Sequence, residues 1–239
     1  MNRFVSSILS LARKSITRYY KVMLLIFSCL TVISYIASYL WIFFYIPGDY
    51  LQGELVKIMY IHVPCAWISL MSYILLGIFS IIYLIYNDRF CSIMSNAATV
   101  VSLNSSLITL LTGSIWGKAA WGTWWVWDPR LTAVLIQFSL LSVCYIMRSY
   151  SRYNVTIEQS AALLTIIGLI NIPIIKFAVN AWNSIHQDAS VFRSDGVKIH
   201  SDFLIPLILS FFAIFCFYIL VGLVVARNSH KEIATNSRK

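Results

Sequence analysis

Residues 203–226 read FLIPLILSFFAIFCFYILVGLVVA and contain no Asp, Glu, Lys or Arg. An α-helix rises about 1.5 Å per residue, so a run of this length crosses the hydrocarbon core of a bilayer, which is about 30 Å thick. Backbone polar groups in lipid must bond within their own segment, so the run is predicted to be a transmembrane helix. Five more apolar runs of similar length lie at about 22–46, 58–86, 92–115, 131–148 and 158–180.

The composition agrees with a membrane protein. Hydrophobic residues make up 59% of the 239 residues and charged residues 11%, whereas a soluble domain carries about 25% charged residues. The sequence therefore predicts an all-α, polytopic membrane protein with six transmembrane helices, forming one integral membrane domain over residues 1–239. Within it we expect a basic interfacial tail at 1–20, retained rather than cleaved, a six-helix bundle at 22–226 and a basic inner tail at 227–239.

The positive charges orient these helices. An even number of spans puts both termini on one side, and 12 of the 18 Lys and Arg fall in the tails and loops of that side. By the positive-inside rule, the termini are predicted to face the cytoplasm or the mitochondrial matrix, and the loop between the third and fourth helices to face outward. The net charge of +9 then reflects this bias and contact with anionic membrane lipids, so no nucleic-acid partner is expected.

The outward loop is rich in tryptophan. It reads WGKAAWGTWWVWDPRLT over residues 116–132. The other three tryptophans of the chain also fall at outer ends of the predicted helices, whereas an aromatic belt would anchor both interfaces. This one-sided distribution favours a function for the indoles beyond anchoring. The loop holds five of the eight: Trp116, Trp121, Trp124, Trp125 and Trp127.

The spacing within the loop predicts a binding surface. A row of indoles buries a large apolar area, and Lys118 and Arg130 add positive charge beside it. The loop therefore predicts a site for a flat apolar ligand with anionic edges. Two roles stay open for Arg130: an ion pair with Asp128 that fixes the loop, or binding of an anionic edge. If residues 118–128 form a surface helix, one stripe at i, i+3, i+4 and i+7 holds Trp121, Trp124, Trp125 and Asp128.

Haem fits that description, and its iron takes axial donors such as imidazole. His62 in KIMYIHVPCAW and His186 in AWNSIHQDAS fall at the outer ends of the second and fifth predicted helices. A lone histidine is more often a hydrogen-bonded interfacial residue, but two of them flanking an indole surface favour ligation of haem iron. His200 and His230 are expected to lie at the surface, outside such a site.

Two other kinds of site are disfavoured by spacing. The five cysteines occur singly and form no C-x-x-C motif, so the sequence predicts no thiol relay, zinc site or covalent haem attachment. The stretch GSIWGKA at 113–119 has three residues between its glycines where a phosphate loop has four, and Ala119 replaces the required Ser or Thr. ATP hydrolysis is therefore expected of a partner.

The Trp-rich loop also carries a resemblance, since WGTWWVWDPRLT resembles the signature of the WWD family of haem-handling membrane proteins. Within it the chain is similar, over about residues 20–226, to the heme exporter C family of cytochrome c maturation. The resemblance implies six helices in the bacterial or mitochondrial inner membrane and haem held at the outer face, with axial ligands at His62 and His186. It departs at Ala181, where the family usually has a tryptophan. Three other segments agree: KIMYIHVP at 57–64, NIPIIKF at 171–177 and WNSIHQ at 182–187.

Partners and cargo follow from the same resemblance. This family passes haem to a membrane-anchored haem chaperone, alongside the ATPase and membrane subunits of an ABC transporter and a small membrane subunit. We therefore expect a carrier rather than an enzyme, with b-type haem as transient cargo against Trp121, Trp124 and Trp125. The full set of expected haem-binding residues is His62, His186, Trp116, Trp121, Trp124, Trp125, Trp127, Lys118, Asp128 and Arg130, with His62 and His186 as the iron ligands.

Alternative functions stay open. A b-type cytochrome subunit would place its histidines within the spans, facing each other across the bundle. A secondary transporter would have helices broken near the midplane, whereas Pro64, Pro173 and Pro206 are expected near span ends. A structural anchor for ATPase partners would not need the tryptophans. For Lys176, in the fifth span, two roles stay open: extension to the outer interface, or a counter-charge for the ligand.

Overall fold

The computed structural model describes residues 3–50, 52–151, 154–182, 184–187, 190–191 and 196–236. Six helical segments in these ranges are long and apolar enough to cross a membrane, with α5 and α6 together forming the fifth. The prediction of an all-α membrane protein with six spans is confirmed, and the Trp-rich loop connects α3 to α4. The elements are α1 (Arg3–Tyr45), a 3-10 helix (Glu54–Ile58), α2 (Met59–Tyr86), α3 (Arg89–Trp121), α4 (Pro129–Ser151), α5 (Val155–Gly168), α6 (Asn171–Ala181) and α7 (Ser201–Asn236).

Helices α2 and α3 form the centre of the bundle. They pack against each other, α2 also contacts α5 and α7, and α3 also contacts α4 and α7. Their shared face is lined by small polar residues: the Ser102 hydroxyl donates to the Ser69 carbonyl at 2.9 Å, and Gln137 of α4 donates to the Ser69 hydroxyl at 2.9 Å. Small side chains allow close approach of helix backbones in lipid. This packing fixes the relative position of α2, which carries His62, and α3, which carries Trp116.

Helix α1 contains both the basic tail and the first span. Residues 3–20 continue the first span, because α1 runs unbroken for 43 residues, about 65 Å. The apolar side of the tail finds a protein partner: Leu9 is buried against Tyr83 and Phe90 at the ends of α2 and α3. Arg13 lies 3.3 Å from Asp88 in the α2–α3 connection. We call this end of the bundle the inner end, and the end with the α3–α4 loop the outer end.

The fifth span is broken at its middle, which corrects the expectation that Pro173 lies near a span end. Helix α5 ends at Gly168 and α6 begins at Asn171. Between them the Leu169 and Ile170 N–H groups donate to carbonyls three residues back, at 3.1 and 3.3 Å. Pro173 supplies no N–H and disfavours regular helix before it. The break is therefore a tightened turn whose N–H groups stay bonded within the segment.

A buried ion pair joins three helices at the inner end. Arg148 of α4, which the sequence placed among the loop charges, is 2% exposed and pairs with Glu158 of α5, which is 5% exposed. The Arg148 guanidinium also donates to the Ser80 hydroxyl of α2 at 3.1 Å. Buried charges in a membrane protein persist when they are paired and hydrogen-bonded. This cluster ties α2, α4 and α5 together far from the Trp-rich loop.

Candidate functional site at the outer end

His62 lies in the first turn of α2, near the helix boundary, as Pro64 indicated. Its Nδ1 is 3.1 Å from the Thr112 hydroxyl of α3, and that hydroxyl is 2.6 Å from the Ile108 carbonyl. A carbonyl only accepts, so the Thr112 proton is donated to Ile108 and the Thr112 oxygen accepts from His62 Nδ1–H. The Nε2 atom of His62 therefore carries the lone pair that a metal ligand requires.

Trp116 packs on this histidine. The two ring centroids are 5.6 Å apart, and the rings meet edge to face at 81°. The indole N–H of Trp116 donates to the side-chain oxygen of Gln52 in the connection between α1 and the 3-10 helix. Gln52 was not among the predicted site residues, since nothing in its local sequence links it to residue 116. Its hydrogen bond fixes the orientation of the indole beside His62.

Two glycines on one face of α3 provide the space for these rings. A Cβ atom at Gly113 would lie 2.9 Å from Cε1 of His62, and one at Gly117 would lie 3.0 Å from the Trp121 ring. Positions i and i+4 lie on the same side of a helix. The GSIWG stretch, which does not fit a phosphate loop, therefore accommodates the His62 ring at Gly113 and the Trp121 ring at Gly117, one helical turn apart.

His186 follows α6 in the outer connection to α7, and its ring centroid is 6.4 Å from that of Trp121. Its Nδ1 lies 3.2 Å from a guanidinium nitrogen of Arg130 and 2.8 Å from the Gln187 carbonyl. Burial lowers the pKa of His186, the Gln187 carbonyl opposes this, and the positive charge of Arg130 lowers the pKa further. The net shift is downward, so His186 is held in the neutral form that binds metals.

The two histidines come together in space. His62 lies against Gly113, and His186 packs on Trp121, which lies against Gly117 one turn further along α3. The outer turns of α3 thus bring residues 124 positions apart to one place, between Trp116 and Trp121.

Asp128 fastens the Trp-rich loop to the segment that carries His186. The carboxylate is 3% exposed; one oxygen accepts from the Arg130 and Leu131 N–H groups at 2.9 and 3.4 Å, and the other from the Ile185 N–H at 3.0 Å. Burial raises the pKa of Asp128, but these bonds and one from Ser184 outweigh it and hold the pKa below its ordinary value. The ionised carboxylate of Asp128 therefore caps the N-terminal end of α4 and holds the Trp-rich loop in position.

Arg130 reaches toward His186. Its backbone N–H bonds to Asp128, and its guanidinium contacts Nδ1 of His186 and, at 3.4 Å, the Lys176 carbonyl. The side chain of Lys176 is exposed. Asp128 thus acts on the backbone of Arg130, while the positive charge of Arg130 lies beside a candidate iron ligand.

The predicted surface helix over residues 118–128 is wrong. Helix α3 ends at Trp121, and Gly122 follows in the left-handed conformation with φ 76°. Lys118 donates to the Gly122 carbonyl at 2.8 Å, so it helps to end the helix. Glycine adopts positive φ without strain, which makes Gly122 a natural helix stop. The row of indoles expected from the helical spacing therefore does not form.

The other loop indoles turn outward. Trp124 and Trp127 are 58% and 76% exposed, and Trp125 packs edge to face on Trp127, with centroids 5.7 Å apart. Thus Trp116 and Trp121 are the predicted indoles that contact the histidines, Trp124 and Trp127 are exposed, and Trp125 is partly buried beside Trp127. His200, with a side chain 71% exposed, and His230, exposed near the inner end, are surface residues as predicted.

The chain is similar to known proteins over most of its length. The family model for heme exporter protein C matches residues 8–239. A heme exporter protein C of Bradyrhizobium diazoefficiens is 40% identical over 183 residues, which cover 76% of this chain and 69% of that protein. A ccmC-like mitochondrial protein of cytochrome c biosynthesis from Marchantia polymorpha is 42% identical over 177 residues, 74% of this chain and 73% of that protein. A heme exporter protein C of Haemophilus influenzae is 36% identical over 200 residues, 83% and 81% of the two chains. The chain therefore belongs to the heme exporter protein C family.

Proposed function

We propose that this chain serves c-type cytochrome biogenesis by binding haem at the outer end of its bundle and passing it to a membrane-anchored haem chaperone. The ATPase and membrane subunits of an ABC transporter and a small membrane subunit would act with it. The proposal draws on the names of the relatives, which are heme exporters and a cytochrome c biosynthesis protein. Those relatives come from bacteria and a plant mitochondrion, which fits a bacterial or mitochondrial inner membrane location.

The placement of two histidines along the same outer turns of α3 is the observation that supports the proposal. His62 lies against Gly113, His186 packs on Trp121 beside Gly117, and protein groups contact Nδ1 of both rings. The Nε2 atoms are then the ones left to face a ligand. Haem iron takes two axial imidazoles, and a hydrogen bond at the other ring nitrogen orients each ligand. We assign His62 and His186 as the axial ligands of b-type haem carried as transient cargo.

The surroundings suit the remainder of a haem molecule. Trp116 and Trp121 flank the histidines and offer flat apolar surface to the macrocycle. Arg130, whose guanidinium lies 3.2 Å from His186, and Lys118 supply positive charge for the propionates. We assign the exposed side chains of Trp124 and Trp127, with Trp125 partly buried beside Trp127, to the outer rim, where the chaperone and the lipid headgroups meet the loop.

Both ligands lie at one end of the bundle, which favours a carrier over a b-type cytochrome subunit. Electron transfer across a membrane needs haem groups spaced through the bilayer, whereas a single site at the outer face suits receipt and release of haem. The midpoint break in the fifth span is a feature that a secondary transporter shares. Helix α6 separates it from the segment that carries His186, so the carrier proposal does not use it.

Spectroscopy of two variants tests the proposal. We expect purified wild type with haem to show a low-spin, bis-histidine spectrum, and His62→Ala and His186→Ala each to lose it and to retain less haem. His200→Ala is the matched control, because His200 lies at the same end and is exposed. A bis-histidine spectrum that persists in both alanine variants would refute the proposed ligands.

A further inference from the structure

The connection from α1 to the 3-10 helix contains a closed turn at residues 48–53, which read GDYLQG and which we call the Gln52 turn. Asp49 and Gly53 bond to each other through both backbone groups: the Asp49 N–H donates to the Gly53 carbonyl at 3.0 Å, and the Gly53 N–H donates to the Asp49 carbonyl at 2.8 Å. The Asp49 carboxylate also accepts from the Gln52 N–H at 2.9 Å. These hydrogen bonds hold the backbone of Gln52 in place.

Two glycines allow this turn to close. Gly53 has φ 58° and ψ −142°, a backbone conformation that is nearly restricted to glycine. A Cβ atom at Gly48 would lie 2.9 Å from the Glu54 carboxylate and 3.0 Å from the Gly53 carbonyl carbon, which is closer than packed carbon atoms approach. The Gln52 turn is therefore a closely built structure rather than a passive link between two helices.

The turn holds Gln52 against the outer part of α3. The Gln52 side-chain oxygen accepts from the indole N–H of Trp116, and both residues are half-buried. Trp116 also packs on the apolar cluster that contains Ile42 and Leu207. An indole has one N–H and accepts no hydrogen bond, so the bond to Gln52 distinguishes this ring orientation from the one turned over about χ2, which an apolar surface distinguishes poorly. Gln52 therefore selects the orientation of the indole.

Trp116 in turn limits the orientation of His62. The Nδ1 atom of His62 contacts the Thr112 hydroxyl at 3.1 Å, which fixes one atom of the imidazole and leaves the ring free to tilt about it. The Trp116 ring meets the imidazole edge to face at 81°, with centroids 5.6 Å apart. A Cβ atom at Gly113 would lie 2.9 Å from Cε1 of His62. The imidazole is thus confined by α3 at Gly113 and by the Trp116 ring, and a displaced indole would leave it room to tilt.

We propose that Gln52 is a positioning residue of the haem site, which acts through its hydrogen bond with Trp116 to set the orientation in which His62 meets the iron. This inference rests on the proposed function. It adds the α1–α2 connection to the site, beside the outer turns of α3 and the segment that carries His186. Groups that orient a metal ligand without touching the metal typically change metal affinity by about 10–100-fold. Gln52 lies one contact further out, so we expect an effect of about tenfold, the low end of that range.

Gln52→Leu removes the acceptor and nearly keeps the size of the side chain. In haem-free protein we expect the indole proton of Trp116 to move upfield in NMR spectra and to exchange faster with water. In the ferric haem complex we expect the largest g value in electron paramagnetic resonance to broaden, because the imidazole samples more orientations, and the Kd for haem to rise about tenfold. Gln52→Glu keeps an acceptor oxygen and should restore the sharp g value. Tyr50→Phe is the matched control, because Tyr50 lies in the same turn and is 98% exposed, and it should match wild type in each measurement.

A double-mutant comparison separates positioning through Trp116 from any other role of Gln52. Trp116→Phe keeps an aromatic ring beside His62 but removes the N–H donor. Adding Gln52→Leu to Trp116→Phe should therefore change neither the Kd nor the g value further. A second tenfold loss in that background would mean that Gln52 acts on haem by another route, and it would overturn the proposal.

The other outcomes are equally decisive. A wild-type g value and Kd in folded Gln52→Leu would overturn the positioning role and leave His62 and His186 as the proposed ligands. Bis-histidine spectra that persist in His62→Ala and His186→Ala would remove the proposed function and the positioning role with it. If Gln52→Leu does not fold, Trp116→Phe decides alone, since the hydrogen bonds that close the Gln52 turn do not involve Trp116. A broadened g value in Trp116→Phe would support the proposal, and an unchanged one would overturn it.

Discussion

Oδ2 of Asp128 accepts a 3.0 Å hydrogen bond from the backbone N–H of Ile185, which fastens the Trp-rich loop to the residue before His186. In Asp128→Asn the amide oxygen can still accept from the first N–H groups of α4, but its NH2 group cannot accept from Ile185. We expect a loss of about 1–3 kcal/mol, typical of a buried N–H left unsatisfied. The haem spectrum should show partial loss of the His186 ligand.

Thermal unfolding and the low-spin fraction of the haem complex measure this effect. Asp202→Asn is a matched control, because Asp202 lies in the first turn of α7 and its side chain is 71% exposed. Equal low-spin fractions in Asp128→Asn and Asp202→Asn would contradict a tethering role for Asp128.

The lowered pKa of His186 predicts a pH dependence of stability. The unfolded chain takes up a proton near pH 6.5, before the folded chain does. The haem-free protein should therefore lose stability as pH falls from about 6.5 toward the folded-state pKa, with this residue contributing at most about 1.4 kcal/mol per pH unit. His186→Gln should lose that part of the slope. Unfolding midpoints between pH 7.5 and 5 check this, and identical slopes in the two proteins would contradict it.

The six spans could be predicted from the sequence, because a long apolar segment in lipid must form its backbone hydrogen bonds within a helix. The location of His62 and His186 at the same end of the bundle could also be predicted, since it follows from the order of the spans. The helix over 118–128 failed for a local reason: the indole spacing fits a helix, but Gly122 ends it with positive φ. The spacing of Gly113 and Gly117 was a usable signal, because two glycines at i and i+4 mark close approach of another group.

Other features depend on contacts between distant residues. The hydrogen bonds that Ile185 N–H donates to Asp128 and that Trp116 donates to Gln52 join positions more than 50 residues apart. Nothing local distinguishes Gln52 from any loop glutamine. The burial of Arg148 was equally hard to predict, since a basic residue at the inner end of a span is ordinarily a loop charge under the positive-inside rule. Only the packing of α4 against α5 shows its carboxylate partner.

Gly113→Ala is expected to damage the haem site from within α3. The new Cβ atom would lie 2.9 Å from Cε1 of His62, so the imidazole must move, and overpacking of this kind costs about 1–3 kcal/mol. We expect loss of the His62 ligand in the haem spectrum. Gly222→Ala is the matched control: its Cβ atom would be 3.8 Å from Val101, and alanine favours the helix. Full bis-histidine ligation in Gly113→Ala would show that His62 does not need this space.

Glu158→Gln tests the buried ion pair at the inner end. The substitution leaves the charge of Arg148 buried beside a neutral amide, and breaking such a pair costs about 3–5 kcal/mol. Arg13→Gln breaks the pair with Asp88, in which the arginine side chain is 48% exposed, so its loss should be about 0–1 kcal/mol. Unfolding in detergent compares the two losses. Because the Arg148 cluster lies at the opposite end of the bundle from His62, the folded fraction of Glu158→Gln should keep the wild-type haem spectrum. A changed spectrum in that fraction would mean that the inner cluster positions the outer site through α2, the helix that carries both Ser80 and His62.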